Sequence, residues 1–95
     1  MTRSAISRAR FADLDPRDLY DILRLRSAVF VVEQDCVFLD LDGRDHEGDA
    51  EHLWIRDDAG VVAALRILQP GSDDSSIGRV VTRADARSAG VASAL

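Results

Sequence analysis

The stretch that most narrows what this chain can fold into is Ile77–Leu95, Ile-Gly-Arg-Val-Val-Thr-Arg-Ala-Asp-Ala-Arg-Ser-Ala-Gly-Val-Ala-Ser-Ala-Leu. Ile77 to Thr82 has the apolar, β-branched content of a short strand, and the Ala/Leu-rich end favours a helix. Between them lies the Arg-x-x-Gly-x-Ala run Arg87-Ser88-Ala89-Gly90-Val91-Ala92. At a helix start the first N–H groups lack intrahelical partners, and the helix dipole adds partial positive charge there. Small residues let an anion come close to those groups, so the segment can be read as a phosphate cradle. It can equally be read as a plain strand-to-helix connection that is rich in Ala and Gly.

The preceding text supplies partners for that strand. Ala5 to Phe11 alternates as a first strand does. Asp15-Pro16 then opens a helix, with Asp15 as N-cap, Pro16 at the first helical position and Asp18 in the acid-favoured first turn. Leu19, Ile22, Leu23, Val29 and Phe30 fall at helical spacing and form one apolar stripe. His52 to Arg56 reads as a strand, Asp57-Asp58-Ala59-Gly60 as a hairpin turn, and Val61 to Leu68 as the returning strand. In the returning strand Val61, Ala63, Leu65 and Ile67 share one face, and Val62, Ala64, Arg66 and Leu68 share the other. This order gives an α+β sheet with a helix packed on it.

Two charges break the apolar pattern. Arg26 lies within the helical stripe and Arg66 on an apolar strand face. Either the stems pack and the heads reach water, or the guanidiniums point into a cleft and need carboxylates, because unpaired burial is costly. Carboxylates abound in the acidic stretch Asp40-Leu41-Asp42-Gly43-Arg44-Asp45-His46-Glu47-Gly48-Asp49. Its spacing resembles a calcium loop, but Arg44 occupies a needed ligand position and no helix-loop-helix frame surrounds it, so no metal site is expected.

Composition removes several classes. At 95 residues the chain is at most one small domain. Its apolar fraction of 46% with 31% charged residues is that of a soluble globular chain. The net charge is −5, and all twelve basic residues are Arg. A negative chain without a basic run argues against nucleic acid or an anionic membrane as main partner. No apolar run approaches a membrane span, and Met1–Arg10 has no signal-peptide core. Cys36 is alone, so no internal disulfide is possible, which suits the cytoplasm.

Read together, these segments resemble the GNAT family of N-acetyltransferases, and within it the ElaA-type branch. The resemblance is carried by Arg26-Ser27-Ala28-Val29-Phe30-Val31-Val32-Glu33-Gln34, Asp42-Gly43-Arg44-Asp45, His52-Leu53, Leu65-Arg66-Ile67-Leu68 and Ile77-Gly78-Arg79-Val80-Val81, followed by the Arg-x-x-Gly-x-Ala run. It implies a GNAT-like (acyl-CoA N-acyltransferase) α+β fold, with a mixed, mostly antiparallel sheet and packed helices. It also implies that residues 1–95 form a partial domain, ending inside the CoA-binding helix with the C-terminal part missing. Alone, such a chain is expected to show little or no activity and to form a homo-dimer or aggregate. The family pattern also has departures here. Ser88 stands where many members carry Gly, and Cys36-Val37-Phe38 stands where they usually carry Cys-Pro-Tyr.

The implied activity is transfer of an acetyl group from acetyl-CoA to an amine of a small molecule or peptide, by direct attack in a ternary complex. By the resemblance, Arg87, Ser88, Ala89, Gly90, Val91 and Ala92 hold the CoA pyrophosphate, and Val80, Val81 and Thr82 hold the pantetheine arm. A bulge at Val80-Val81 would turn backbone N–H groups toward the thioester carbonyl. Glu33 and His52 are the candidate bases, and Arg26, Phe30, Asp42, Asp45 and Arg66 face the acceptor. Plainer roles stay open: Glu33 paired with Arg26 or Arg66, His52 satisfied by backbone, Cys36 as packing. The Arg, Phe, Asp, Asp, Arg skeleton is also similar to acyl-homoserine-lactone synthases, which binding of S-adenosylmethionine would distinguish. A non-catalytic CoA-binding or dimerising remnant is the third reading.

Overall fold

The computed structural model describes residues 6–35 and 39–89, with side chains placed through residue 86. Four strands form one antiparallel sheet in chain order: β1 (Ile6–Arg10), β2 (Glu51–Asp57), β3 (Gly60–Leu68) and β4 (Ser76–Thr82). A helix, α1 (Pro16–Arg26), packs across β3 and β4. Each strand pairs with its neighbour in chain order; β2, β3 and β4 follow one another through short turns, while the chain between β1 and β2 carries the helix and the acidic loop.

The start of α1 follows from its first two residues. Asp15 is extended (φ −63°, ψ 137°), and its carboxylate accepts a hydrogen bond from the Arg17 N–H at 2.8 Å. Pro16 fills the next position, where a missing N–H is harmless. The far end departs from the sequence reading. The expected stripe runs at α spacing through Phe30, yet the α-helix ends at Arg26 and the chain continues as a π-helix, Ser27–Glu33. Its wider turn is seen where the Gln34 N–H reaches back five residues to the Val29 carbonyl at 3.0 Å. That turn keeps Val29 in the core behind Ile22 and Leu25, while Leu19, Leu23 and Phe30 are only half-buried. Leu25, outside the expected stripe, is the residue that moves inward.

The core follows the sheet register. Trp54 of β2 lies opposite Ala64 of β3, which lies opposite Val81 of β4. These three and Val61 meet Ile22, Leu25 and Val29 from the helix. Ala64 at the centre of the row leaves room for the helix, and the large Trp54 fills the flank. Burying the Ile22, Leu25, Val29, Val61 and Val81 side chains contributes about 1.5–3 kcal/mol each. One step along the sheet, on the same face, a second row runs Ala9, His52, Arg66 and Gly78. There the apolar core gives way to charge.

Two register shifts interrupt the ladder. Between β2 and β3, Ile55 pairs with Ala63 and Arg56 with Val61, so Val62 is extra; Val61 and Val62 are both buried. The clean alternation expected for β3 therefore fails at its start, where Val61 through Ala64 are all buried. Between β3 and β4, Ala64 pairs with Val81 and Arg66 with Gly78, so Arg79 and Val80 together face Leu65. Arg79 takes a left-handed backbone, φ +51°. The bulge lies one residue earlier than the Val80-Val81 position the resemblance implies.

Candidate functional site

The second row of the sheet is the floor of a charged cluster. Arg26 ends α1 and points inward, with 1% of its surface exposed. Its Nε donates to Asp40 Oδ2 at 3.0 Å, and its Nη1 to Asp45 Oδ1 at 2.6 Å. Its Nη2 donates to the Asp40 carbonyl at 3.1 Å. Arg66 donates through Nη1 and Nη2 to the two oxygens of Asp42 at 2.8 and 2.7 Å, and through Nη1 to Asp45 at 3.2 Å. Arg79 adds a third fork: Nε lies 2.8 Å from Asp40 Oδ1, and Nη2 donates to the Asp40 carbonyl at 3.0 Å and to Asp42 Oδ2 at 3.3 Å. Three arginines thus meet three aspartates, and the charges cancel.

This balance answers the puzzle of charges among apolar neighbours. A guanidinium is planar and carries five donors in a fixed fork, so one side chain can bridge two carboxylates and a carbonyl. Arg26 and Arg66 find their carboxylates in the loop after residue 38, while Glu33 stands exposed on the last turn of the π-helix. Asp42 forms the wetter edge of the cluster, its side chain 27% exposed. The Arg66 fork holds the Asp42 carboxyl well below the usual carboxylate range, against the opposing effect of burial, and the Arg44 N–H helps. Burial pushes Asp45 upward, but hydrogen bonds and charge from Arg26 and Arg66 outweigh it, and its carboxyl also lies low. In return Asp42 first, and Asp45 after it, raise Arg66 above its ordinary value against the opposing effect of burial.

His52 is 2% exposed, and its Nε2 lies 2.8 Å from the Asp45 carbonyl. A carbonyl only accepts, so Nε2 carries the proton and donates. The ring anchors the acidic loop from beneath, and of the two roles left open for His52, candidate base and histidine satisfied by backbone, this contact is the second. Asp42 and Asp45, expected to grip a cationic acceptor, are already committed to arginines.

The structure gathers Arg26, Asp42, Asp45, Arg66 and His52 into one cluster, with Phe30 half-buried against the apolar core. It adds Asp40 and Arg79, which the sequence reading left without a role. Asp40 could have been suspected from the Asp40-Leu41-Asp42 alternation. Arg79 carries a weaker signal, a charge beside Gly78 in an otherwise apolar strand. Among the described residues no group of His, Cys, Asp and Glu is placed to hold a metal ion. No described helix is long and apolar enough to cross a membrane.

Val80, Val81 and Thr82 lie on β4, the last strand of the described sheet. Val81 is buried in the core, Thr82 half-buried and Val80 48% exposed. Past Thr82 the Arg83 N–H donates to the Val62 carbonyl at 2.7 Å. The Arg83 guanidinium forks onto Asp57 in the hairpin turn, with Nη2 to Oδ2 at 2.6 Å. Ala84–Ala89 then forms a 3₁₀ turn, which takes in the backbone of Arg87, Ser88 and Ala89. Gly90, Val91 and Ala92 lie outside the described residues.

No family profile matches the chain. A UPF0039 protein of Mycobacterium tuberculosis is 42% identical over 90 residues, which cover 90% of this chain and 58% of that protein. Protein ElaA of Escherichia coli is 45% identical over 74 residues, covering 74% of this chain and 47% of ElaA. Among solved structures, an acyl-CoA N-acyltransferase from Pseudomonas aeruginosa superposes with a TM-score of 0.88 at 40% identity, over 96% of this chain and 64% of that one. Escherichia coli ElaA superposes with the same TM-score at 38% identity, over 97% and 64%. The chain thus spans roughly half to two-thirds of the length of these relatives.

Proposed function

We propose, from the premise that this chain belongs to the GNAT family of acyl-CoA N-acyltransferases alongside ElaA, that it carries the donor-binding strand of an N-acetyltransferase. The donor is acetyl-CoA and the acceptor an amine of a small molecule or peptide. The observation that carries this reading is the course of β4: a bulge at Arg79-Val80, a half-exposed Val80, and then the chain leading into Arg87–Ala92. A bulge interrupts the ladder and re-aims the backbone, as a strand needs to do to receive a ligand amide or carbonyl. The pantetheine arm lies along Val80, Val81 and Thr82, and Arg87, Ser88, Ala89, Gly90, Val91 and Ala92 take the pyrophosphate.

Acyl transfer to an ammonium requires a base, alignment of amine and thioester, and a donor for the developing oxyanion. Glu33, exposed where the π-helix ends, is the carboxylate suited to take the proton. π-Helical turns often mark functional sites, because the extra residue re-aims the side chains around it. The charge-neutral cluster of Arg26, Asp42, Asp45 and Arg66 serves as the rigid wall against which Phe30 and the acceptor are held. Attack then proceeds in a ternary complex of chain, acetyl-CoA and amine.

Calorimetric titration with acetyl-CoA tests the reading. Gly90→Asp places bulk and negative charge where pyrophosphate should lie, and binding is expected to disappear. Unchanged affinity in this variant would remove the pyrophosphate assignment.

A further inference from the structure

Arg79 is a side chain in a place that suits glycine. Its φ of +51° falls in the left-handed region, which strains any residue that carries a side chain. Glycine was within reach of the same bulge, since Gly78 is the next residue back and pairs with Arg66. A Cβ at Gly78 would meet nothing within 4 Å, so no crowding reserves the glycine for that position. The left-handed residue is nevertheless the arginine. Its guanidinium touches the carboxylate and carbonyl of Asp40 and the carboxylate of Asp42. The side chain is 23% exposed, and the Asp40 side chain is 4% exposed, so the Arg79–Asp40 pair is well shielded from water.

From these contacts we infer that Arg79 is a positioning residue. Its fork ties the β4 bulge to the acidic loop and fixes the direction in which the bulged backbone presents its N–H groups to the acyl carbonyl. This rests on the acyl-CoA reading of β4. The bulge alone would leave its extra residue unpaired and the direction of its backbone loosely set. With Arg79 anchored on two residues of a loop that Arg26 and His52 hold from below, the kink has one position. The acyl end of the donor and the acceptor-side loop thus share one rigid support.

The test separates the guanidinium from the backbone. Arg79→Gly keeps the left-handed conformation at no steric cost and removes only the tether. Calorimetry on the full chain compares acetyl-CoA with S-ethyl-CoA, a thioether of nearly the same size that lacks the carbonyl. In the parent, acetyl-CoA should bind more tightly by about a factor of ten, the worth of a single well-placed hydrogen bond. In Arg79→Gly that preference should fall toward one, while the affinity for S-ethyl-CoA stays within about twofold. Should Arg79→Gly fail to fold, Arg79→Lys carries the same comparison, because a point charge cannot bridge both aspartates as the fork does. A preserved preference in the folded variant, or none in the parent that binds both ligands, overturns the positioning role. A parent that binds neither ligand overturns the acyl-CoA reading itself, and the inference falls with it.

Discussion

Arg26 has 1% of its surface in water, yet it is a full charge on a helix whose other inward residues are Ile22 and Leu25. Its site is affordable because Asp40 and Asp45 meet it, and removing it would strand both carboxylates. Arg26→Met is therefore expected to destabilise the fold by about 3–5 kcal/mol, read from urea midpoints. Arg8→Met, which breaks an exposed pair with Glu51, should leave the midpoint unchanged within error. Equal losses in the two variants would show that burial is not what gives the cluster its value. At this scale the sequence announced the need without naming the answer. Arg26 and Arg66 stood out against apolar neighbours, and Glu33, Asp42 and Asp45 were the carboxylates on offer. Which carboxylates close on which guanidinium depends on how the loop folds back over the sheet. No local propensity encodes that, so Asp40 and Arg79 passed unnoticed.

The elements divide by how local their causes are. The start of α1 was legible because Asp15 and Pro16 act within one turn. Asp15→Ala, which removes the acceptor for the Arg17 N–H, should cost about 1 kcal/mol in thermal melts, and Asp15→Ser should recover most of it. The hairpin was legible for the same reason. Asp57 accepts from the Ala59 N–H at 2.8 Å, and Gly60 supplies a φ of +133° that other residues avoid. The π-helix was hidden, since over two turns an apolar stripe at wider spacing resembles an α stripe. The two bulges left no compositional mark either. Each inserts a residue without changing the kind of residues around it, and pairing across the sheet decides where.

Across the whole molecule the ion pairs share one dependence on acidity. The Asp42 and Asp45 carboxyls are held low by their arginines, and Arg83 draws Asp57 down to about 2, with burial opposing and the Ala59 N–H assisting. A carboxylate whose folded pKa is depressed lends stability above its unfolded value and loses it as pH falls through the folded one. Stability should therefore be level from neutral pH down to about 5, decline below about 4, and still be falling near 2. Urea midpoints across that range would show it, and a midpoint that did not move would mean the unfolded chain keeps these pairs. The cancelling of charge within the cluster also reaches beyond the fold. Because Arg26, Arg66 and Arg79 offset Asp40, Asp42 and Asp45, the chain's −5 is projected by its other side chains alone. On the acyl-CoA reading, a polyphosphate ligand that comes within about a Debye length of the chain is repelled by that net charge, although the backbone N–H groups proposed to hold it attract it. Encounter and grip then respond to dissolved salt in opposite senses: salt hastens the arrival of such a ligand while it loosens the hold.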